Sequence, residues 1–360
     1  MLTETRTAVA NVPVLGASPV VYLILYVNDL VQSRAFYEGK LGLAVLEADE
    51  ASIKIDAGRV VLCLHRATDY GVTLAGRRDD ASDIVFLVDD VNAVRASLEA
   101  RGVEFVRRRT YEIGLVTDFY DPNGHRLMIY QPSEKALSWP SGAKLRELWR
   151  TAGRGTGALI GTPAVEVPGD AAANQGLAGK PLVYLFMFVP DSADAAAFYQ
   201  SVLGLNAIEN VHCCNPACPP EEKGIAKYDA GGLLLTTHHI HRSPVVDDFG
   251  KVYSPRVAEP AHVKGIVPVF YVRDLPGVID KLRSHGVSFT GDVQHSHIGD
   301  LAQFEAPTGH LFYLYAPSPG ALQWPVGLKL RQLVAAVASP EDRKRGEDSV
   351  SDPRYIRAVN

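Results

Sequence analysis

The sequence contains the same strand-helix pattern twice, and this duplication limits the folds open to the chain. YLILYVNDLVQSRAFYEGKLGL begins at Tyr22, and YLFMFVPDSADAAAFYQSVLGL begins at Tyr184. Each copy starts with an apolar run that ends in an aspartate, which is typical of a buried strand followed by a helix N-cap. Gly42 and Gly204 then stand where a helix would end on a left-handed residue. Two copies of one unit predict two related domains.

Each half of the chain also contains a second unit with the same plan. In the first half, DIVFLVDD ends at Asp90, a helical pattern runs to Gly102, and the last hairpin turns at residues 121–124, DPNG. In the second half, Asp274 and Gly286 occupy the same places. The sequence therefore predicts four strand-helix-strand-strand-strand units, numbered 1 to 4 along the chain. Units 1 and 2 are predicted to close one domain, and units 3 and 4 the other.

The second half is longer than the first at two points. The offset between equivalent residues is 162 at Tyr184, 173 at Asp229 and 184 at Asp274, so about eleven residues have been added on each side of Asp229. The first insertion contains VHCCNPACPP (211–220), and the second contains HHIHRSPVVDDFGKVYSPRVAEPAH (238–262). Long Pro-containing loops at strand ends often serve binding, so we expect both to act as a lid over the second cup.

Composition limits the possible function classes. A chain of 360 residues with 47% hydrophobic and 21% charged residues can bury two globular cores. The net charge of −5 and the lack of a long basic run argue against nucleic-acid binding. The N-terminal segment lacks the apolar stretch of a signal peptide, and no run is long enough to span a bilayer, so we expect a cytoplasmic protein. Four cysteines are too few for a disulfide scaffold.

Composition also marks the limits of the domains. Residues 151–180 are rich in Gly, Ala and Pro without a period, as linkers are. The predicted organisation is a flexible segment 1–17, a first domain 18–150, a linker 151–180, a second domain 181–335 with both insertions, and a charged tail 336–360.

Taken together, the four units, the AFY and LGL motifs and the DPNGH turn resemble the vicinal oxygen chelate superfamily. This superfamily includes glyoxalase I, extradiol dioxygenases, fosfomycin-resistance enzymes and bleomycin-binding proteins. The resemblance covers residues 18–132 and 181–317. It implies an α+β fold in which four βαβββ units pair into two cup-shaped eight-stranded domains, as in glyoxalase and the extradiol dioxygenases.

The resemblance also implies a divalent metal, but this chain departs from the usual ligands. Metal-using members place a His seven residues before each helix-entry Asp and a Glu six residues after the Pro of the DP-x-G turn, and glyoxalase I adds a Glu on the strand after the first hairpin. The residues at these positions here are Tyr22, Cys63, Asp83 and Met128 in the first half, and Tyr184, Thr236, Val267 and Tyr313 in the second. Because Met and Val cannot replace His or carboxylate ligands, we expect no metal and no other cofactor.

Strand alternation from these positions predicts which side chains face each cup. The second cup is predicted to be aromatic, and a His beside tyrosine hydroxyls can act as a base while a phenol stabilises an oxyanion. The predicted catalytic residues are His238, Tyr184 and Tyr313, and the predicted ligand-binding residues are Phe186, Phe188, Thr236, Tyr271 and Tyr315.

The first cup holds secondary candidates, which are Tyr22, Cys63, His65 and Asp83. Asp83 is expected at the solvent-facing rim, with a buried base of raised pKa as the alternative. A zinc site in the insertions is a weaker hypothesis because no C-x-x-C pair is present. Its ligands would come from His212, Cys213, Cys214, Cys218, His239 and His241.

The sequence thus favours a metal-independent enzyme that acts by general acid/base chemistry, as an isomerase, cyclase or lyase, on a polar aromatic or polyketide-like small molecule in the second cup. One alternative is a protein that binds and sequesters such a molecule, as bleomycin-resistance proteins do. Another is a metal-dependent dioxygenase or lyase with atypical ligands. The expected partner is the small molecule, without nucleic acid or membrane, and homodimer formation stays open.

Overall fold

The computed structural model describes residues 13–74, 79–152, 176–211, 224–240, 245–253 and 265–337. Within these ranges, no helix combines the length and the apolar character needed to cross a membrane. Unit 1 comprises four strands and a helix that continues as a π-helical segment at Ala35–Lys40. Its elements are β1 (Val20–Val27), α1 (Leu30–Arg34), β2 (Val45–Ala48), β3 (Ser52–Asp56) and β4 (Val61–Arg66), followed by a 3-10 turn at Ala67–Tyr70.

Unit 2 has the same order and ends in two further helices. Its elements are β5 (Asp79–Leu87), α2 (Val91–Ala100), β6 (Phe105–Tyr111), β7 (Gly114–Tyr120), β8 (His125–Pro132), α3 (Glu134–Ser138) and α4 (Pro140–Thr151).

Units 3 and 4 repeat this plan, with a small hairpin between them. Unit 3 contains β9 (Leu182–Val189), α5 (Ser192–Ala197) with a π-helical continuation, β10 (Asn206–Val211), β11 (Ile225–Asp229) and β12 (Leu234–His239). The hairpin consists of β13 (Val245–Val246) and β14 (Val252–Tyr253). Unit 4 contains β15 (Ile266–Tyr271), α6 (Leu275–Ser284), β16 (Gln294–Ser296), β17 (Gly299–Glu305), β18 (Leu311–Pro317) and α7 (Pro325–Val337).

The predicted helix boundaries are confirmed. Asp29 accepts hydrogen bonds from the backbone amides of Val31 and Gln32, and the equivalent aspartates cap α2, α5 and α6 in the same way. Gly42 and Gly204 have φ values of 76° and 70°, which a side chain would strain. Val31 of α1 is 80% exposed, and the helix reaches the core through Leu30 and Ser33.

The structure corrects the predicted pairing of the units. Unit 1 shares a sheet with unit 4, and unit 2 shares a sheet with unit 3. We call these the terminal sheet (order β16-β17-β18-β15-β1-β4-β3-β2) and the central sheet (order β10-β11-β12-β9-β5-β8-β7-β6). Asp83 therefore pairs with Phe186, in the other half of the chain, and Tyr22 pairs with Val269. Since β1 and β9 are copies of one strand, either pairing buries the same apolar pattern, and the sequence could not choose between them.

Each sheet has one face toward the helices of its units and one face away from them. The helix-facing sides of both sheets contribute to a single large core. The opposite faces, which we call the terminal cup and the central cup, each hold a smaller cluster to which α7 and α4 contribute, respectively. Lys144 of α4 pairs with Asp229 at 3.1 Å, and Lys329 of α7 pairs with Asp56 at the same distance, so the two helices are anchored alike.

Candidate functional site

The corrected topology divides the predicted site residues between two cups. Tyr184, Phe186, Phe188, Thr236 and His238 lie in the central sheet, together with Asp83. The remaining predicted residues, Tyr271, Tyr313 and Tyr315, lie in the terminal sheet with Tyr22, Cys63 and His65. The predicted combination of His238 and Tyr184 with Tyr313 in one cup is therefore wrong, because two strands that the sequence assigned to one domain belong to different sheets.

One end of the central cup is filled by α4. Leu145, Leu148 and Trp149 of this helix form an apolar cluster with Val85 and Tyr184 of the sheet. Beyond the cluster, the face becomes polar, and the register places one row of side chains across five strands. From β11 to β8 the row reads Lys227, Thr236, Phe186, Asp83 and Arg126.

Phe186 marks the accessible part of this face. Among the side chains of β9 it is the one that is half-buried, while those on both sides of it are buried. On β8, Met128 is half-buried in the same way between Leu127 and Ile129. Asp83 lies directly beside Phe186 in the sheet and next to the strand that carries Met128. The approach to the cup is therefore over Phe186 and Met128, with Asp83 at its edge.

A buried cluster of charges surrounds Asp83. Nε of Arg126 lies 3.6 Å from Oδ1 of Asp83 and 2.7 Å from Oδ2 of Asp118. Arg107 donates to Asp118 through Nη2 at 2.7 Å and through Nε at 3.0 Å. Burial raises the pKa of Asp118, but the ion pairs with Arg126 and Arg107 outweigh it and hold that pKa below its usual value. Asp118 is therefore ionised and fixes both guanidinium groups.

Asp83 differs from Asp118 although the two share Arg126. The residue is 2% exposed, so the expectation that Asp83 faces solvent at the rim is wrong. Burial raises the pKa of Asp83 to about 6, with Arg126 opposing the rise and Asp118 adding to it. A carboxyl with a pKa near neutrality can both accept and return a proton. The structure therefore agrees with the alternative of a buried carboxyl with a raised pKa.

The opposite side of the central cup carries a second ion pair. Nζ of Lys227 donates to Oε1 of Glu209 at 2.5 Å and to Oγ of Ser141 at 3.1 Å. Burial raises the pKa of Glu209, but hydrogen bonds from Lys227 and Ser141 outweigh it and lower the pKa. Burial also raises the pKa of Tyr184, whose hydroxyl lies at Ser141, so this phenol is neutral and points toward α4. Tyr184 therefore has a structural role, because it connects the sheet to α4.

His238 lies at the far end of the cup from α4. Its ring is 5.3 Å from that of Phe188 and 6.3 Å from that of Phe186, measured between centroids. Nδ1 lies 2.7 Å from the carbonyl oxygen of His239, so in the neutral imidazole Nδ1 carries the proton and Nε2 is the acceptor. The structure places His238 beside the rings of Phe186 and Phe188, whereas the sequence-based expectation was a His beside tyrosine hydroxyls.

The hairpin of β13 and β14, which lies in the second insertion, binds the free edge of β6 at the margin of the central sheet. Asp248 accepts from the amide of Thr110 at 3.0 Å and from its hydroxyl at 2.8 Å, and the amide of Asp248 donates to the carbonyl of Arg108 at 3.0 Å. The predicted zinc ligands at 212–218 and 241 lie outside the described residues.

The terminal cup is lined differently. Its face forms one continuous cluster of apolar and tyrosine side chains with α7 and with residues 67–74. The hydroxyls of Tyr26 and Tyr313 are 2.9 Å apart, and Nδ1 of His65 is 2.6 Å from the hydroxyl of Tyr70. Burial raises the pKa of the Cys63 thiol to about 12, so the thiol stays protonated. This cup resembles a packed core.

Comparison with known proteins identifies the family. The model of the Glyoxalase/Bleomycin resistance protein/Dioxygenase superfamily matches residues 20–129 and 182–314. The chain belongs to this superfamily. Glyoxalase I from Zea mays is 14% identical over 88% of this chain and 95% of that chain, with a TM-score of 0.52, and a variant of it is 13% identical with the same coverage and a TM-score of 0.53. At these identities the likeness establishes the fold alone. A comparison with curated proteins found no match.

The residues at the ligand positions of metal-using members show whether either cup could hold the metal of the superfamily. In the central cup these positions are Asp83, Met128, Tyr184 and Thr236. Only Asp83 is a common ligand, and it lies against the Arg126 guanidinium. The corresponding positions of the terminal cup are Tyr22, Cys63, Val267 and Tyr313. Val267 has no donor atom, and the two phenols and the thiol replace the imidazole and carboxylate ligands that the metal takes in the superfamily. Neither set fits the metal of the superfamily.

Several charged residues of the central cup were not among the candidates predicted from the sequence. Arg107, Asp118 and Arg126 face the same side as Asp83, and Glu209 and Lys227 complete the opposite side. A signal for them was present, because strand alternation continued from Asp83 into β6, β7 and β8 reaches all three residues of the first group.

Proposed function

We propose that this chain is a metal-independent enzyme of the superfamily that performs general acid/base chemistry on a polar aromatic small molecule in the central cup. The observation that carries the proposal is the buried carboxylate of Asp83 on the cup face, beside the accessible ring of Phe186. A carboxylate in this position can remove a proton from an acidic C–H or phenol of a ring that packs on Phe186. The reaction class is isomerisation, cyclisation or elimination.

The charge cluster supports this role. When Asp83 takes up a proton it loses its negative charge, and a lone partner arginine would then be left buried without a counter-charge. Arg126 keeps Asp118 at 2.7 Å, so protonation of Asp83 leaves the guanidinium paired. The positive charge near Asp83 also stabilises the anion that forms on the substrate when the proton leaves. The cluster thus lets Asp83 cycle between its two forms.

His238 is the second group with a part in the proposal. Its Nε2 is the acceptor nitrogen of the neutral imidazole, and its ring lies on the other side of Phe186 from Tyr184. It can accept a hydrogen bond from a hydroxyl of the substrate, while Asp83 itself returns the proton at a second carbon, as a one-base isomerisation requires. Tyr184 and Lys227 position the cup through Ser141, and the second insertion helps to close it.

The test compares two substitutions in different cups. Extracts of small aromatic metabolites are incubated with wild-type protein, and consumed compounds are identified by mass spectrometry. We expect Asp83→Asn to bind the compound and to lose at least a hundredfold in turnover, while Tyr313→Phe in the terminal cup keeps it. Wild-type turnover in the Asp83→Asn variant would remove the basis of the proposal.

A binding protein is the second candidate, and the terminal cup favours it. The hydroxyls of Tyr26 and Tyr313 meet inside an aromatic lining, and Glu47, which shares a row with Cys63 on this face, is neutralised by its ion pair with Lys54. An aromatic compound in this cup would be bound but not chemically changed. Loss of binding in Tyr313→Phe, with Asp83→Asn unaffected, would select this candidate.

A further inference from the structure

The hydroxyl of Thr236 is a polar group that the fold leaves without a partner. The side chain is 0% exposed, and Oγ1 forms no hydrogen bond within the described structure. An unpaired buried hydroxyl destabilises the folded state, because it loses its hydrogen bond to water. Its neighbour Thr237 points to the helix-facing side, whereas Thr236 shares the cup face with Leu234. A group that fills this hydrogen bond would recover the lost free energy.

The register fixes what lies around this hydroxyl. Thr236 pairs with Phe186 on one side and with Lys227 on the other. Phe186 in turn pairs with Asp83, so Thr236 and Asp83 stand two strands apart in one row. Neighbouring strands are about 4.8 Å apart, which places the two Cα atoms about 10 Å apart with one aromatic side chain between them.

We infer that the central cup selects a single six-membered ring with an acidic hydroxyl or C–H at one edge and a carbonyl oxygen at the opposite edge. The inference rests on the proposed function, since it takes Asp83 as the group that meets the acidic edge. Thr236 donates its hydroxyl proton to the carbonyl, and the ring packs against Phe186. Thr236 is thus a specificity-determining residue. Because Oγ1 has no exposed surface, the half-buried ring of Phe186 turns aside as the ligand enters.

The spacing excludes other arrangements of the two groups. A ring with both polar groups on neighbouring carbons reaches Asp83 or Thr236 but not both, because a whole side chain separates them. A site built to hydrogen-bond an oxygen discriminates strongly against the analogue that lacks it. The ligand therefore needs the carbonyl at one edge of its ring and the acidic group at the opposite edge, para to the carbonyl.

The experiment uses three probes that differ in one feature each. 4-Hydroxyacetophenone has the para arrangement, 4-ethylphenol lacks the carbonyl, and 3-hydroxyacetophenone has the meta arrangement. Binding is measured by calorimetry on the full chain. We expect wild-type protein to bind the first about tenfold more tightly than the other two.

The matched variants are Thr236→Val and Thr237→Val. Each replaces one threonine hydroxyl by a methyl group, and the two positions lie on opposite faces of β12. We expect Thr236→Val to abolish the preference for 4-hydroxyacetophenone over 4-ethylphenol and Thr237→Val to retain it. An unchanged preference in Thr236→Val, or no binding of any probe by wild-type protein, overturns the inference. The turnover of Asp83→Asn is measured separately, so failure here leaves the proposed function to its own test.

Discussion

Asp83 of β5 and Phe186 of β9 are paired neighbours, although they belong to different halves of a duplicated chain. Their contact places a carboxyl of raised pKa against the accessible ring of the central cup. The pKa of this carboxyl is about 6 in the folded protein and 3.8 as the ordinary value, so its contribution to stability is complete below pH 3.8 and is lost as the pH rises through 6.

Replacement of Asp83 by Asn removes this titration. Each pKa unit corresponds to about 1.4 kcal/mol. We therefore expect the free energy of unfolding of wild type to fall, relative to that of Asp83→Asn, by roughly 3 kcal/mol as the pH rises from 4 to 7. Urea unfolding at a series of pH values measures the difference. A difference that does not change with pH would show that the carboxyl has its ordinary pKa.

Asp118 is expected to be the most costly charge to remove. Asp118→Ala leaves Arg107 and Arg126 buried without their shared carboxylate, and breaking such a pair costs about 3–5 kcal/mol. Glu38→Ala is the control, since it breaks an ion pair with Arg34 in which the side chains are 44% and 48% exposed, and the expected cost is below about 1 kcal/mol. Equal denaturant midpoints for the two variants would contradict the buried network.

The link between Asp248 and Thr110 can be tested without a ligand. The amide of Thr110 lies on the free edge of β6 and donates to Asp248. We expect Asp248→Ala to accelerate hydrogen exchange at this amide at least tenfold. Amides within the β6–β7 ladder serve as internal controls. Exchange at Thr110 that stays unchanged would mean that the hairpin does not hold this edge in solution.

The pair formed by Tyr26 and Tyr313 should affect stability alone. Tyr26→Phe, Tyr313→Phe and the double variant form a thermodynamic cycle, and we expect a coupling free energy of about 1 kcal/mol from the hydrogen bond between the hydroxyls. Binding of 4-hydroxyacetophenone should be the same in all three. A coupling energy of zero in thermal unfolding would argue against the hydrogen bond.

The two halves of the chain should not fold separately into cups. Residues 1–152 contain units 1 and 2, whose sheet partners both lie in the second half. We expect this fragment alone to be unfolded or to self-associate, and to form a 1:1 complex when it is expressed together with residues 153–360. Size-exclusion chromatography with circular dichroism distinguishes the cases. A cooperatively folded monomer of the fragment would favour the pairing that the structure replaces.

The sequence predicted local structure well and long-range pairing poorly, for a physical reason. Asp29 and Gly42 act on the backbone within a few residues, so their roles could be read directly. The partner of β1 depends on the path of the whole chain, and both possible partners present the same apolar pattern. Asp83 was misplaced for a related reason, because its burial depends on Arg126 from a neighbouring strand.

The interleaved order of the sheets has a consequence for synthesis on the ribosome. Units 2 and 3 follow each other, so the central sheet can close soon after unit 3 emerges. Unit 1 ends at Arg66, and its partner unit starts at Ile266, about 200 residues later. At usual translation rates this is a wait of roughly 10 to 40 seconds, during which the apolar edge of β1 has no native strand to pair with. We therefore expect the nascent chain to depend on chaperones for its first strand above all, and loss of chaperone capacity to harm the terminal sheet before the central one.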